Sequence, residues 1–242
     1  MRKLVQNLAH RCSRCKLAPR WCVCSAHRDI AVPLEIDVLM HHRELFRPTS
    51  TGNLIDRAIP ASRLHVYRRE RRLGVADLQV PGREVWLLHP HGEPAPQPPP
   101  AADTIQAIFL DGSWREASSM AQEVAGWGRL ISLPMSGESR YWLRAQADGT
   151  RFSTAEALLF LLKYLGLDEA HEALRLQFEL HVYAGLRARG LKILGEEFLA
   201  TSPIRTAFAD TIAALNVSRP REAGGDGREV KAAEAEDTKS CP

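Results

Sequence analysis

IQAIFLDGSW, residues 105–114, reads as a buried strand that stops in a tight turn and passes into a helix. Ile105 to Leu110 is short, apolar and rich in β-branched and aromatic side chains, as a buried strand should be. Gly112 permits the turn. Ser113 and Glu116 have the spacing of a capping box, in which serine oxygen and glutamate carboxylate satisfy free N–H groups where a helix starts. That helix is expected to run to about Ala125. In α/β proteins ligands bind at such strand-to-helix turns, where a helix start offers N–H groups to a carboxylate or phosphate. Asp111 is expected to project into that crevice. The alternative for the same residues is a plain cap, with Trp114 in the core.

Working outward, Leu34–Met40, Leu64–Tyr67 and Val85–Leu88 repeat the strand pattern upstream, and Leu130–Leu133 repeats it after the helix. Glu93 to Pro100 (EPAPQPPP) is excluded from helix and central strand, because proline lacks an N–H and has a fixed φ; a surface linker is expected. From Ser153 onward the pattern is helical. Ser153 and Glu156 form a second capping box, and Leu158, Leu159, Leu162 and Leu165 form an apolar stripe. A long helix is expected from about Glu169 to Ala188, ending near Gly190. The tail, residues 219–242, has almost no large apolar side chains and is expected to be disordered. Strands alternating with helices predict an α/β domain with a largely parallel sheet. The expected division is a cysteine module over 1–30, a main domain over 31–218 and the tail.

Composition narrows the function little. A net charge of +3 gives a weak overall field, so a nucleic-acid partner has to be held by local patches. No apolar run reaches the roughly 20 residues that span a bilayer, and Met1 to His10 lacks the apolar segment of a secretory signal. A cytoplasmic protein with no membrane partner is expected. In a reducing compartment, clustered thiols are metal ligands more often than disulfides. Cys12, Cys15, Cys22 and Cys24 form C-x2-C-x6-C-x-C, enough soft ligands for one tetrahedral Zn2+. Free or redox-active thiols are the alternative, and His10 or His27 could replace one cysteine. Arg11, Arg14, Lys16, Arg20 and Arg28 make this segment basic, suited either to RNA phosphates or to solvent. The cluster Arg63, Arg68, Arg69, Arg71 and Arg72 has the same two readings. No G-x-x-x-x-G-K-[ST] loop occurs, which counts against a nucleotide hydrolase.

Four blocks in order carry a resemblance. The first is His41-His42-Arg43-Glu44 leading to Thr49-Ser50-Thr51-Gly52-Asn53-Leu54; the second is Asp111-Gly112-Ser113-Trp114. The third is Leu133-Pro134 with Ser139-Arg140-Tyr141-Trp142-Leu143-Arg144, and the fourth is Ser153-Thr154-Ala155-Glu156-Ala157. With the cysteine cluster ahead of them, they resemble the DTW-domain proteins, which include tRNA-uridine aminocarboxypropyltransferases, over about residues 10–190. Serine stands where that family usually has threonine at 113, keeping the hydroxyl, and Ser50 stands where it has asparagine, losing an amide.

The resemblance implies a SPOUT-like sheet flanked by helices, with a knotted cofactor site. It implies transfer of the 3-amino-3-carboxypropyl group of S-adenosylmethionine to N3 of a tRNA uridine, releasing 5′-methylthioadenosine. On that reading Asp111 is the general base or orients the uracil. Ser113, Trp114, Leu133, Tyr141, Arg144, Ser153, Thr154 and Glu156 hold the donor, with Arg140 or Arg144 facing its carboxylate. His41, Glu44, Arg68 and Arg69 face the tRNA, and the chain is a monomer or weak homodimer. Competing readings are a zinc RNA-binding module without chemistry, a SPOUT-like RNA methyltransferase, and an aminocarboxypropyltransferase acting on ribosomal RNA.

Overall fold

The computed structural model describes residues 11–70, 73–144 and 151–217. The expected disorder of the tail lies outside these residues, as do His10, Arg71 and Arg72. Strands β1 (Glu35–His41), β2 (Arg63–Tyr67), β3 (Glu84–Pro94), β4 (Ile105–Asp111) and β5 (Arg129–Ser132) form one all-parallel sheet in the order β2-β1-β4-β3-β5. Every residue of β4 is buried, because it lies between β1 and β3 with helices over both faces.

Successive side chains of a strand point to opposite faces. On one face Ile36, Val38, Met40, Ala107 and Phe109 join the core formed with α1 (Gly52–Ala58), α3 (Thr154–Tyr164) and α4 (Asp168–Ala188). On the other, Leu39, Leu87, Ile108 and Leu110 meet Met120, Ala121 and Val124 of α2 (Trp114–Val124). Asp111 has the parity of Ala107 and Phe109, so it ends β4 on the side of α1 and α3. Both expected capping boxes are present, on α2 and α3. Gly190 takes φ +75° just beyond α4, as a helix stop requires. Helices α5 (Lys192–Ala200), α6 (Ile204–Ala207) and α7 (Ala209–Asn216) complete the helical layer.

Two features depart from the sequence pattern. Residues 93 and 94 were expected in a linker, yet Glu93 pairs with Ile131 and Pro94 with Ser132. β4 pairs with β3 only as far as Leu88, so at Pro94 the missing N–H breaks no ladder on that side. Helix α1 was not expected: seven residues opening on glycine make a weak local pattern, and packing of Leu54 and Ile55 in the core holds it.

The cysteine segment shares this core. Leu17, Val23, Ala26 and Ile30 belong to the same apolar cluster as α1 and α4. The Ile30 N–H donates to the Ala58 carbonyl at 2.9 Å, and the Gln177 amide donates to the Arg28 carbonyl at 2.6 Å.

A buried polar knot ties the loop after β2 to the sheet. Asp37 accepts from Arg63 at 2.7 Å, from His65 at 2.6 Å and from Gln106 at 2.6 Å, while Gln106 also bonds Leu78 and Val80. Burial alone would raise the Asp37 pKa; the bonds from His65, Arg63 and Gln106 outweigh it and hold it below the usual carboxylate range. A depressed folded pKa gives stability that is present above the unfolded value of about 4 and is lost as pH falls through the folded one. Asp37→Ala is expected to cost about 3 kcal/mol at neutral pH. Urea unfolding at several pH values checks this, and the deficit should shrink at acid pH, where the parent also loses the charge.

Candidate active site

Asp111 is 4% exposed and almost fully engaged. Its Oδ2 accepts the Ser50 hydroxyl at 2.8 Å. Its Oδ1 accepts the Thr154 hydroxyl at 2.6 Å and the Gly52 N–H at 3.2 Å. One carboxylate therefore joins the end of β4 to the start of α1 and the start of α3. Gly52 is required by proximity: a Cβ there would lie 2.8 Å from both Cγ and Oδ2 of Asp111. Burial pushes the Asp111 pKa up, against the bonds from Thr154 and Ser50, which favour the charged form.

A second buried carboxylate organises the neighbouring wall. Glu44 is 1% exposed; its Oε1 accepts from Arg47 at 2.6 Å, and its Oε2 is paired with Arg144. Arg144 also reaches the Thr49 hydroxyl, and the Tyr141 hydroxyl donates to the Thr49 carbonyl. Glu156 caps α3 through the Ser153 N–H at 2.7 Å and accepts the Arg140 N–H at 2.7 Å and the Ser139 hydroxyl at 2.9 Å. It fastens the segment carrying Tyr141 and Arg144 to the helix start that carries Thr154.

These walls enclose a cavity of about 460 Å³ at the carboxyl ends of β3, β4 and β5. Leu88, Phe109, Ile131 and Leu133 supply apolar lining, and Arg115, Arg144 and Arg151 supply cations. Trp114 is 39% exposed and lines the cavity with the Arg151 guanidinium 5.2 Å from its ring, so it is not a core residue. Asp111 and the residues expected to hold the donor line this cavity, except Glu156, which sits behind it, and Arg140. The residues expected to face RNA fall elsewhere. His41 lies at the end of β1, 3.4 Å from the Glu116 carboxylate; Glu44 is interior; Arg68 and Arg69 are exposed beyond β2. Arg140 is turned away, over the Phe198 ring at 4.0 Å and 3.3 Å from Glu179. Arg63 leaves the basic cluster to bind Asp37.

The four cysteines lie together near the amino end, their Sγ atoms all within 4.8 Å of one another. Cys12 and Cys24 are 3.6 Å apart, Cys15 and Cys22 3.7 Å. Four thiolates about 2.3 Å from a tetrahedral zinc would be separated by about 3.8 Å, so this set fits the ion. They form no disulfide. His27 takes no part in the set: its Nε2 accepts from the guanidinium of buried Arg57. Burial works against the Arg57 charge, and the nearby Cys24 and Cys15 sulfurs work for it.

The model of the DTW domain matches residues 9–184, most of the chain. The chain belongs to the DTW domain family. It is also 26% identical over 161 residues to the Drosophila melanogaster protein named tRNA-uridine aminocarboxypropyltransferase 2. That match spans 62% of this chain and 64% of the relative's length. No solved structure matches the chain.

The DTW domain thus covers the cysteine cluster, the whole sheet and most of α4. Both departures from the DTW pattern keep a working hydroxyl. Ser113 caps α2, its Oγ donating to the Glu116 carboxylate at 2.7 Å, and Ser50 reaches Asp111 without an amide. The lining residues His89, Met135, Arg151 and Phe152 were not singled out in the sequence. For His89 the available signal was Gly92, a glycine closing an apolar run, which often marks a bulge.

Proposed function

We propose that this chain is a tRNA-uridine aminocarboxypropyltransferase, moving the 3-amino-3-carboxypropyl group of S-adenosylmethionine to N3 of a tRNA uridine and releasing 5′-methylthioadenosine. The observation that carries this reading is the cavity at the carboxyl end of the sheet, built around the DTW-family Asp111, in a chain related to a protein of that name. Its size suits a donor of this class, and its mixture of apolar lining with arginines suits an adenosine and a carboxylate. An RNA-binding module without chemistry would leave such a cavity unused. The parallel sheet with the cavity at its carboxyl end also supports kinship with the SPOUT methyltransferases.

Bound S-adenosylmethionine supplies the electrophilic carbon beside its sulfonium and the methylthioadenosine leaving group. The N3–C bond forms as the C–S bond breaks, and the N3 proton passes to solvent. The chain's own work is orientation, which can supply most of the acceleration when two substrates must align. Three of the four lone-pair positions of Asp111 are occupied, so its part is to position the loops bearing Thr51 and Thr154 rather than to take the proton. Glu44 holds Arg144 in the wall as a cation for the donor's carboxylate. Cys12, Cys15, Cys22 and Cys24 would hold one Zn2+, and four thiolates would make it a structural rather than a catalytic ion. Residues 31–218 form the catalytic domain, and the zinc-bearing segment ahead of it packs into the same core. No helix among the described residues is long and apolar enough to cross a membrane; work on tRNA suits the cytoplasm.

Mass spectrometry of nucleosides from unmodified tRNA incubated with the protein and S-adenosylmethionine tests the reading. A uridine heavier by one aminocarboxypropyl group, with methylthioadenosine released, is the expected result. A methylated nucleoside with S-adenosylhomocysteine would overturn the group transferred, and product only with ribosomal RNA would overturn the substrate.

A further inference from the structure

Strand β3 carries a bulge that no spacing argument anticipated. Leu88 and Glu93 both pair with Ile131, so His89-Pro90-His91-Gly92 is thrown out of the ladder between them. Bulges beside a binding site commonly re-aim a side chain into it. Here the strand rejoins its partner only because residue 92 is glycine: a Cβ there would lie 2.5 Å from the Leu130 carbonyl oxygen and 2.6 Å from the Ile131 carbonyl carbon. The bulge is thus built into the backbone packing, and its first residue, His89, lines the cavity next to the ends of β4 and β5.

Among the described residues His89 is the one imidazole lining that cavity. Its Nδ1 accepts the His91 backbone N–H at 3.2 Å. An imidazole nitrogen that accepts a hydrogen bond carries no proton, so the neutral ring has its hydrogen on Nε2. Burial, with His91 close by, lowers the His89 pKa and favours that neutral form. The bulge therefore places beside the cavity an uncharged imidazole whose proton is on Nε2, a donor rather than a base.

Taking the proposed transferase function as its basis, we propose that His89 is an acceptor-recognition residue, whose Nε2–H donates to a carbonyl oxygen of the uracil. The cavity's arginines suit the donor's carboxylate, whereas a neutral donor suits a carbonyl. Position points the same way. A base that belongs to a large RNA has to be turned out of its strand to enter the cavity, and His89 lines that cavity while its neighbours Pro90 and His91 are exposed on the surface an RNA would meet. As N3 gives up its proton, negative charge spreads to the flanking carbonyl oxygens, and a hydrogen bond to one of them strengthens in the transition state.

Steady-state kinetics of full-length His89→Leu and His89→Gln test this, with calorimetric titration of S-adenosylmethionine alongside. The glutamine amide keeps an N–H at similar reach; leucine has none. His89→Leu is expected to lose about tenfold in kcat/KM for tRNA, with His89→Gln recovering most of it and donor affinity unchanged in both. Equal losses in the two variants would make the residue structural and overturn the proposal. Weakened donor binding with unchanged tRNA kinetics would assign His89 to the donor instead, and unchanged kinetics throughout would also overturn it. A parent protein that makes no aminocarboxypropyl-uridine would fail earlier, removing the transferase reading on which this rests.

Discussion

Asp111→Ala is expected to lower transfer by about 100-fold or more and to lower stability by about 3 kcal/mol. Both effects come from one geometry. The side chain is the shared acceptor of Ser50, Gly52 and Thr154, which lie on two different loops. Its removal leaves those donors without their shared acceptor, and each buried donor without an acceptor costs about 1–3 kcal/mol before water or rotation relieves it. The loops released also carry Thr49, Thr51 and Ser153 of the cavity wall, so the donor site loosens with the scaffold. Two further variants separate scaffold from direct chemistry. Gly52→Ala keeps the carboxylate but drives a methyl group to 2.8 Å from it, and should reproduce most of the activity loss. Ser50→Ala removes one bond of three and should cost about 1 kcal/mol with most activity kept. Thermal unfolding and single-turnover transfer, measured together, decide the matter. Full activity in Asp111→Ala would remove the residue from the mechanism, and normal activity in Gly52→Ala would show that the carboxylate's placement does not matter.

The strands were legible because each is a short apolar run with a clear period, and the helices α2 and α3 because their capping boxes are local chemistry. What the residues do to one another was less legible. Asp111, Ser50 and Thr154 were all visible as members of recognisable blocks, yet their convergence depends on which face of β4 residue 111 takes and on two loops folded from 43 and 61 residues away. Glu44 was expected to face RNA from its place in the first of the resembling blocks. In the fold it is an interior anion whose partner Arg144 lies 100 positions along the chain. For Glu156 the cap was legible in the spacing with Ser153, but its second task, fastening Ser139 and Arg140 to α3, was not. Helix α1 and the bulge after Leu88 escaped notice for a common reason. Both depend on glycines, Gly52 and Gly92, whose necessity appears only when another backbone or side chain stands against them.

The cysteine segment carries the other large effect. Cys12→Ser combined with Cys15→Ser should abolish bound zinc, read by elemental analysis, and should lower the unfolding temperature well beyond the loss of a surface module. Half the thiolates would be gone, and binding energies of structural zinc sites, about 10–16 kcal/mol, act directly as folding energy. The damage should spread because the segment is not an independent bead. Leu17, Val23 and Ile30 belong to the core that holds α1 and α4. Arg57 of α1 is buried beside the sulfurs, where burial works against its charge and the nearby sulfurs work for it, so losing two of them should destabilise α1. From α1 the disturbance reaches Gly52, one of the three partners of Asp111, so metal loss should depress transfer as well as stability. Chelation of the parent protein should produce the same pair of effects without any substitution. Metal content unchanged by the double substitution would refute the zinc site. Zinc lost with stability and transfer unaffected would instead leave the ion bound to a segment that the catalytic fold does not need.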